Sequence, residues 1–97
     1  MTPLIRHTAS FKRDAADVWD FVGQDAPDRA DRLLDDVDEA LTMLARYPLS
    51  GRSRPELAPD VRSFPVGRFL VYYLPLGGGG VVALRLLHTS RDVEGLF

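Results

Sequence analysis

The sequence predicts a single α+β domain over residues 1–97 in the order β-α-α-β-β-β, a helical hairpin packed on one face of a small antiparallel sheet. Three observations carry this. Two stretches in the first half repeat apolar residues at helical spacing. A break rich in proline and arginine follows at 48–60. Beyond it the period shortens to that of strands, with glycines between the runs.

Leu4 to His7 alternates apolar and polar residues and is read as a short first strand. Ser10 offers an N-cap oxygen. Phe11, Ala15, Val18, Trp19 and Val22 then recur at helical spacing before Gly23, which places the first helix at about residues 10 to 23. Pro27 suits the first turn of the second helix, where its missing N–H is not needed, with Asp25 or Ala26 as cap. Ala30, Leu33, Leu34, Val37, Ala40, Leu41 and Leu44 follow the i, i+3, i+4, i+7 rule. Tyr47 before Pro48 ends this helix, because proline pushes its predecessor out of the helical region. So short a connection folds the helices into an antiparallel hairpin, with Asp28, Asp31, Asp35 and Asp38 on its wet side and pairs such as Asp25 with Arg29 along it.

Val61 to Val66, Arg68 to Leu76 and Val81 to His88 are β-rich runs separated by Gly67 and by Gly77 to Gly80, giving three consecutive antiparallel strands. In the last of them Val82, Leu84 and Leu86 form the more apolar set and are expected to face the helices. Arg85 then stands on a face open to water or a partner. The tail, Ser90 to Phe97, makes one helical turn or packs across the sheet.

Composition narrows the chemistry. There is no cysteine, which excludes a disulfide framework, thiolate metal sites and cysteine nucleophiles, and only His7 and His88 remain as imidazole ligands, too few for a structural zinc site. No cofactor and no metal are expected. The first residues lack the pattern of an export signal, and no run approaches the roughly 18 apolar residues of a spanning helix, so a cytoplasmic protein without membrane contact is expected. The net charge of −2 conceals an asymmetry: carboxylates crowd the first two-thirds, whereas after Asp60 only Asp92 and Glu94 oppose Arg62, Arg68, Arg85 and Arg91. That pattern suits a polar or anionic partner at one surface rather than general nucleic-acid adhesion.

Gly77 to Gly80 lack the following Lys-Ser/Thr and helix of a phosphate cradle and are read as a hairpin turn. The carboxylates of the second helix spread over more than one face and are read as solvated. His88 either hydrogen-bonds nearby backbone or Asp92, or serves as a general acid or ligand. Tyr72 and Tyr73 must point to opposite faces of their strand, one to the core and one to the open face; Tyr73 is taken as the outward one. A sheet can gather Arg62, Arg68, Arg85 and Arg91 on one side, where their planar forks suit carboxylate or phosphate. The alternative is that each pairs locally or is solvated.

Five segments, in order, resemble the ParE/RelE toxin family: Asp14–Val22 (DAADVWDFV), Asp25–Ala30 (DAPDRA), Leu44–Arg52 (LARYPLSGR), Arg62–Tyr73 (RSFPVGRFLVYY) and Leu84–Asp92 (LRLLHTSRD). The third is similar to the family's L-A-x-x-P-x-x-G-R helix exit. The last two are similar to its R-x-F-P-x-G-x-Y-x-I-x-Y and I-R-V-L-H-x-x-R-D strands. The resemblance implies the fold already read from periodicity, a tight, hetero-oligomeric complex with a cognate antitoxin, and one of two activities. ParE-like members inhibit DNA gyrase; RelE-like members are ribosome-dependent mRNA endonucleases, a chemistry that needs a proton acceptor, a proton donor and cations for the phosphorane. For the second activity the weak catalytic candidates are Arg62, Arg85 and His88. The target-binding candidates are Arg62, Arg68, Tyr73, Arg85 and Arg91. A single lysine, Lys12, an acidic balance and no tyrosine after His88 favour the ParE-like activity. A chain that only binds antitoxin, without toxicity, is a further alternative.

Overall fold

The computed structural model describes residues 3–97 and follows the expected order with one addition: β1 (Ile5–His7), α1 (Ala9–Gly23), α2 (Pro27–Arg46), β2 (Arg52–Ser53), β3 (Arg62–Val66), β4 (Phe69–Pro75) and β5 (Val81–His88). Residues 1 and 2, part of the N-terminal signal reading, lie outside the described residues. The strand order is β1-β5-β4-β3-β2. The three consecutive strands β3, β4 and β5 are antiparallel as expected, but β1 joins β5 in parallel, so the sheet is mixed. A helical hairpin and three further strands separate β1 from β5, and no tight turn forces them antiparallel. The two-residue β2 pairs Arg52 with Ser63 and Ser53 with Arg62, hidden in the sequence among turn-forming residues.

Thr8, not Ser10, caps α1. Its hydroxyl accepts from the Phe11 N–H at 3.0 Å and donates to the Leu84 carbonyl at 2.8 Å, bolting the helix start to β5. Ala26 occupies the N-cap of α2 with no side-chain bond, leaving Pro27 to open the helix. The helices are further tied by the Trp19 indole N–H, which donates to Asp31 at 2.8 Å. Asp25 and Arg29 form no ion pair; among the described residues the pairs are Arg54 with Glu56 and Arg85 with Asp14.

Between the hairpin and the sheet, Phe11, Val18, Val37, Leu41 and Leu44 pack on Val71, Tyr73, Val81, Ala83 and Leu86. Burial of each large apolar side chain there contributes about 2 kcal/mol. The faces of β5 depart from strict alternation. Tyr72 opposes Arg85 and Tyr73 opposes Ala83, so Leu84 is the extra residue of a β-bulge. The bulge reverses the parity: Val81, Ala83 and Leu86 face the helices, while Leu84 and Leu87 face away. Only Leu86 of the expected set reaches the helical core.

The face away from the helices is not open. Val61, Tyr72, Leu87 and Val93 form a second buried cluster, flanked by Leu57, Leu70, Leu74, Leu84 and Leu96. The loop before β3 and the C-terminal tail supply its cover, and the Phe97 ring lies 5.2 Å from that of Tyr72. No helix among the described residues is long and apolar enough to cross a membrane.

Candidate functional site

The arginines and tyrosine singled out from the sequence divide into those that build the fold and those left at its surface. Arg62 belongs to the first group. From β3 its guanidinium donates to the carbonyls of Gly51 at 2.8 Å and Leu49 at 3.3 Å, clamping the turn that follows α2. Tyr73 closes the same turn from β4: its hydroxyl accepts from the Gly51 N–H at 2.8 Å and donates to the Pro48 carbonyl at 2.7 Å. The side chain expected on an outward face is therefore fully buried on the helical side, and Tyr72 is the one that faces away. The Pro48–Gly51 turn is held by a latch of two side chains.

Arg85 also turns inward. Beyond His7 the chain leaves the sheet for α1, and the uncovered edge of β5 meets Asp14. The carboxylate accepts from Arg85 Nε at 2.7 Å, from Arg85 Nη2 at 3.0 Å and from the Leu86 N–H at 3.0 Å. This fork-to-fork pair raises the Arg85 guanidinium above its already high value. Its expected place on an open face is thus corrected; the bulge at Leu84 and the departure of β1 put it under α1. Sequence reasoning missed Asp14 as the partner, though a signal was present. Asp14 sits between Phe11 and Val18 at helical spacing, on the buried stripe.

Tyr73 makes a pH-dependent contribution. Burial pushes its phenol above the ordinary value of 10.0, with the Gly51 N–H and Arg62 partly offsetting this. The folded state therefore holds the neutral hydroxyl to a higher pH than the unfolded chain does. The sign follows: this stability is fully present below about pH 10 and is lost as pH rises through the folded value. Thermal melts from about pH 8 to 11 should show an alkaline decline that Tyr73→Phe flattens, although that variant starts less stable.

Arg68, Arg91 and His88 remain at the surface. Arg91 is exposed on the turn after β5 and forms no ion pair among the described residues. His88 ends β5 with its Nδ1 bonded to Ser90, at 2.7 Å from the hydroxyl and accepting from the N–H at 3.1 Å; this is the local bond expected, with Ser90 in place of Asp92. Its ring meets Phe69 edge to face at 5.4 Å. Arg68 and His88 line a groove of about 630 Å³ between the β3–β4 turn and the α1–α2 junction, opposite Phe21, Arg29 and Arg32, with Asp25 and Asp36 also on its walls. Phe21 is 72% exposed, an unusual place for a phenylalanine, and lies outside the apolar series that marks α1. Sequence reasoning missed Phe21, Arg29 and Arg32. Only Phe21 carried a signal, as an apolar residue without a core position.

On the far face, Arg54 pairs with Glu56 at 2.8 Å, lies 5.7 Å from the Tyr72 ring centroid and holds the Glu56 carboxyl below its ordinary value. The four arginines expected on one side are therefore not gathered. The structure brings together Arg68 and His88, and joins them to Arg29, Arg32 and Phe21 from the helices. Such a groove can hold a carboxylate- or phosphate-bearing partner with an apolar contact at its mouth. Its proton-transfer groups are the imidazole of His88, bonded to Ser90, and the carboxylates of Asp25 and Asp36 on its walls.

Comparison with known proteins fits this architecture. A family model described as the ParE toxin of a type II toxin-antitoxin system, parDE, matches residues 5–93. The chain is 30% identical over 67 residues to Toxin ParE1 of Mycobacterium tuberculosis, in strains H37Rv and CDC 1551, covering 69% of this chain and 68% of the relative. In fold it is similar to a solved chain of the chromosomal ParDE TA system from P. aeruginosa, with a TM-score of 0.70 and 21% identity, covering 90% of this chain and 96% of the other.

Proposed function

The chain belongs to the ParE toxin family of type II toxin-antitoxin systems, and on that premise we propose that it is a cytoplasmic toxin that arrests growth by inhibiting DNA gyrase and is neutralised in a tight complex with a cognate antitoxin. One observation carries the choice of gyrase over RNA cleavage. Arg62 and Arg85, the arginines a RelE-like endonuclease would aim at the message, are spent on the Pro48–Gly51 turn and on Asp14. A groove whose carboxylates, Asp25 and Asp36, stand among its own cations and whose His88 is bonded to Ser90 rather than to an acid suits adhesion to a protein target better than phosphodiester cleavage. In this reading target binding rests on Arg68, His88 and Phe21. Arg91 contributes at most from outside the groove, and Arg62, Tyr73 and Arg85 act by holding the fold.

The test is a supercoiling assay with purified gyrase beside a translation extract. Wild-type protein is expected to block supercoiling or trap cleaved DNA while leaving messages intact. Arg68→Glu combined with Phe21→Ala, both at exposed positions, should weaken this by about 100-fold with little change in melting temperature. Codon-spaced cleavage of mRNA with normal supercoiling would replace the proposal with the endonuclease. Induction without growth arrest, with antitoxin binding retained, would replace it with a binding module.

A further inference from the structure

A second groove, of about 870 Å³, takes no part in the core or in the site above. It is lined by Arg6 of β1, by Arg46 and Tyr47 at the end of α2, and by the turn Gly77 to Gly79 between β4 and β5. Its cations are unspent. Whereas Arg54, Arg62 and Arg85 are taken by Glu56, the Gly51 carbonyl and Asp14, Arg6 and Arg46 are exposed and pair with no carboxylate among the described residues. The walls of this groove also carry no carboxylate among those residues, although the chain has a net charge of −2. The groove at Arg68, in contrast, has Asp25 and Asp36 beside its cations.

The glycine turn is a second, independent observation. Its backbone is fixed: the Leu76 N–H donates to the Gly80 carbonyl at 2.9 Å, the Gly79 N–H to the Leu76 carbonyl at 3.1 Å, and the Val81 N–H to the Leu4 carbonyl at 2.9 Å. Gly78, Gly79 and Gly80 have φ of 92°, 110° and 96°, so the turn itself requires glycine there. Gly77 does not share that requirement. Its φ is not positive, and a Cβ on it would meet nothing within 4 Å. A glycine the fold does not need leaves this wall of the groove bare. The Gly77 and Gly78 N–H groups, with no backbone acceptor among the described residues, are then open to a close approach. A wall without side chains offers an apolar partner little to pack on, whereas an anion gains donors from it.

We infer that this groove holds the phosphodiester backbone of the DNA bound to gyrase, with Arg6 and Arg46 on phosphates and the Gly77 and Gly78 amides facing the same strand. The inference rests on the gyrase reading given above. The planar fork of arginine matches phosphate. Tyr47, 63% exposed, brings a hydroxyl of the kind that also bonds phosphate. Two cations are too few for an acidic chain to hold DNA by itself, which agrees with a charge pattern unsuited to general nucleic-acid adhesion. Once the groove at Phe21 and Arg68 has docked on gyrase, the DNA contact becomes intramolecular and needs little affinity of its own. The toxin then prefers the DNA-bound enzyme to the free one.

Fluorescence anisotropy of the labelled full chain, titrated with gyrase alone and with gyrase loaded on a DNA duplex, tests it. At low salt the chain should bind the loaded enzyme about 10-fold more tightly, and the logarithm of this gain should fall against the logarithm of salt concentration with a slope of about −2, one released counterion for each arginine. Arg6→Gln with Arg46→Gln, both at exposed positions, should remove the gain and its salt dependence. Gly77→Asp, which adds a carboxylate where the fold has room, should do the same through repulsion. In both variants the affinity for DNA-free gyrase and the melting temperature should stay near wild type. Equal affinity of the wild-type chain for free and loaded enzyme overturns the inference, as does a gain that both variants retain. Variants that weaken binding to DNA-free gyrase as much as to the loaded enzyme would assign the groove to an acidic segment of the protein instead. Failure of the wild-type chain to bind gyrase in either form removes the gyrase reading itself, a result distinct from the others.

Discussion

Asp14→Ala is expected to destabilise the domain by about 3 kcal/mol or more, the range for breaking a largely buried ion pair. The substitution removes three acceptor contacts at once, to Arg85 Nε, Arg85 Nη2 and the Leu86 N–H. It strands a guanidinium whose side chain is only 20% exposed and uncovers an edge amide of β5. In a domain of this size each kcal/mol moves the melting temperature by about 4–8 °C, so a fall of roughly 15 °C should appear in a thermal scan. Arg85→Ala should show a similar loss, because it leaves Asp14 with one backbone donor where it had three. The double variant should lose much less than the sum, and the shortfall is the coupling of the pair. If Arg85 instead acted on a target, Arg85→Ala would abolish activity with a nearly unchanged melt, and the two single variants would not resemble each other.

The elements legible in the sequence were those whose cause is local. The stripe from Ala30 to Leu44 specified α2, Pro27 its start and Tyr47-Pro48 its end, all within a residue of the structure. Glycine placed the last hairpin, and Gly80 shows why: at a φ of 96° it lies where a Cβ would overlap the Leu4 backbone, so the turn and the seat of β1 share one requirement. What was not legible depends on long-range pairing. The parallel placement of β1, the bulge at Leu84 and the two-residue β2 leave no periodic trace, and the bulge alone redirected Arg85. The candidate site suffered for the same reason. Arginine count and strand position indicated a cluster on one face, yet Arg62 and Arg85 were claimed by the Gly51 carbonyl and Asp14, 11 and 71 residues away in sequence. The family motif itself marks construction as much as function, since Pro48, Gly51, Arg62 and Tyr73 all meet in the turn after α2.

That turn supports the second large prediction. Gly51→Ala should cost about 2–3 kcal/mol, at the upper end for overpacking, because nothing nearby can yield cheaply. A Cβ at this buried position would meet the Tyr73 hydroxyl, Tyr73 Cε1 at 2.7 Å and the Ser63 carbonyl oxygen at 2.9 Å. The ring is fixed inside the helical core and the carbonyl belongs to β3, so relief requires shifting a strand or breaking the latch. Tyr73→Phe should cost about 1–3 kcal/mol by a different route, leaving the buried Gly51 N–H without its acceptor. The two effects overlap: once an alanine has displaced the hydroxyl, its removal has less left to lose. Urea melts of both single variants and the double should therefore show a loss smaller than the sum. Only partial rescue follows, because Cε1 and the Ser63 carbonyl still confront the added methyl group. Additive losses would mean that the turn relaxes away from Tyr73 freely and that its two hydrogen bonds are not what holds the chain between α2 and the sheet.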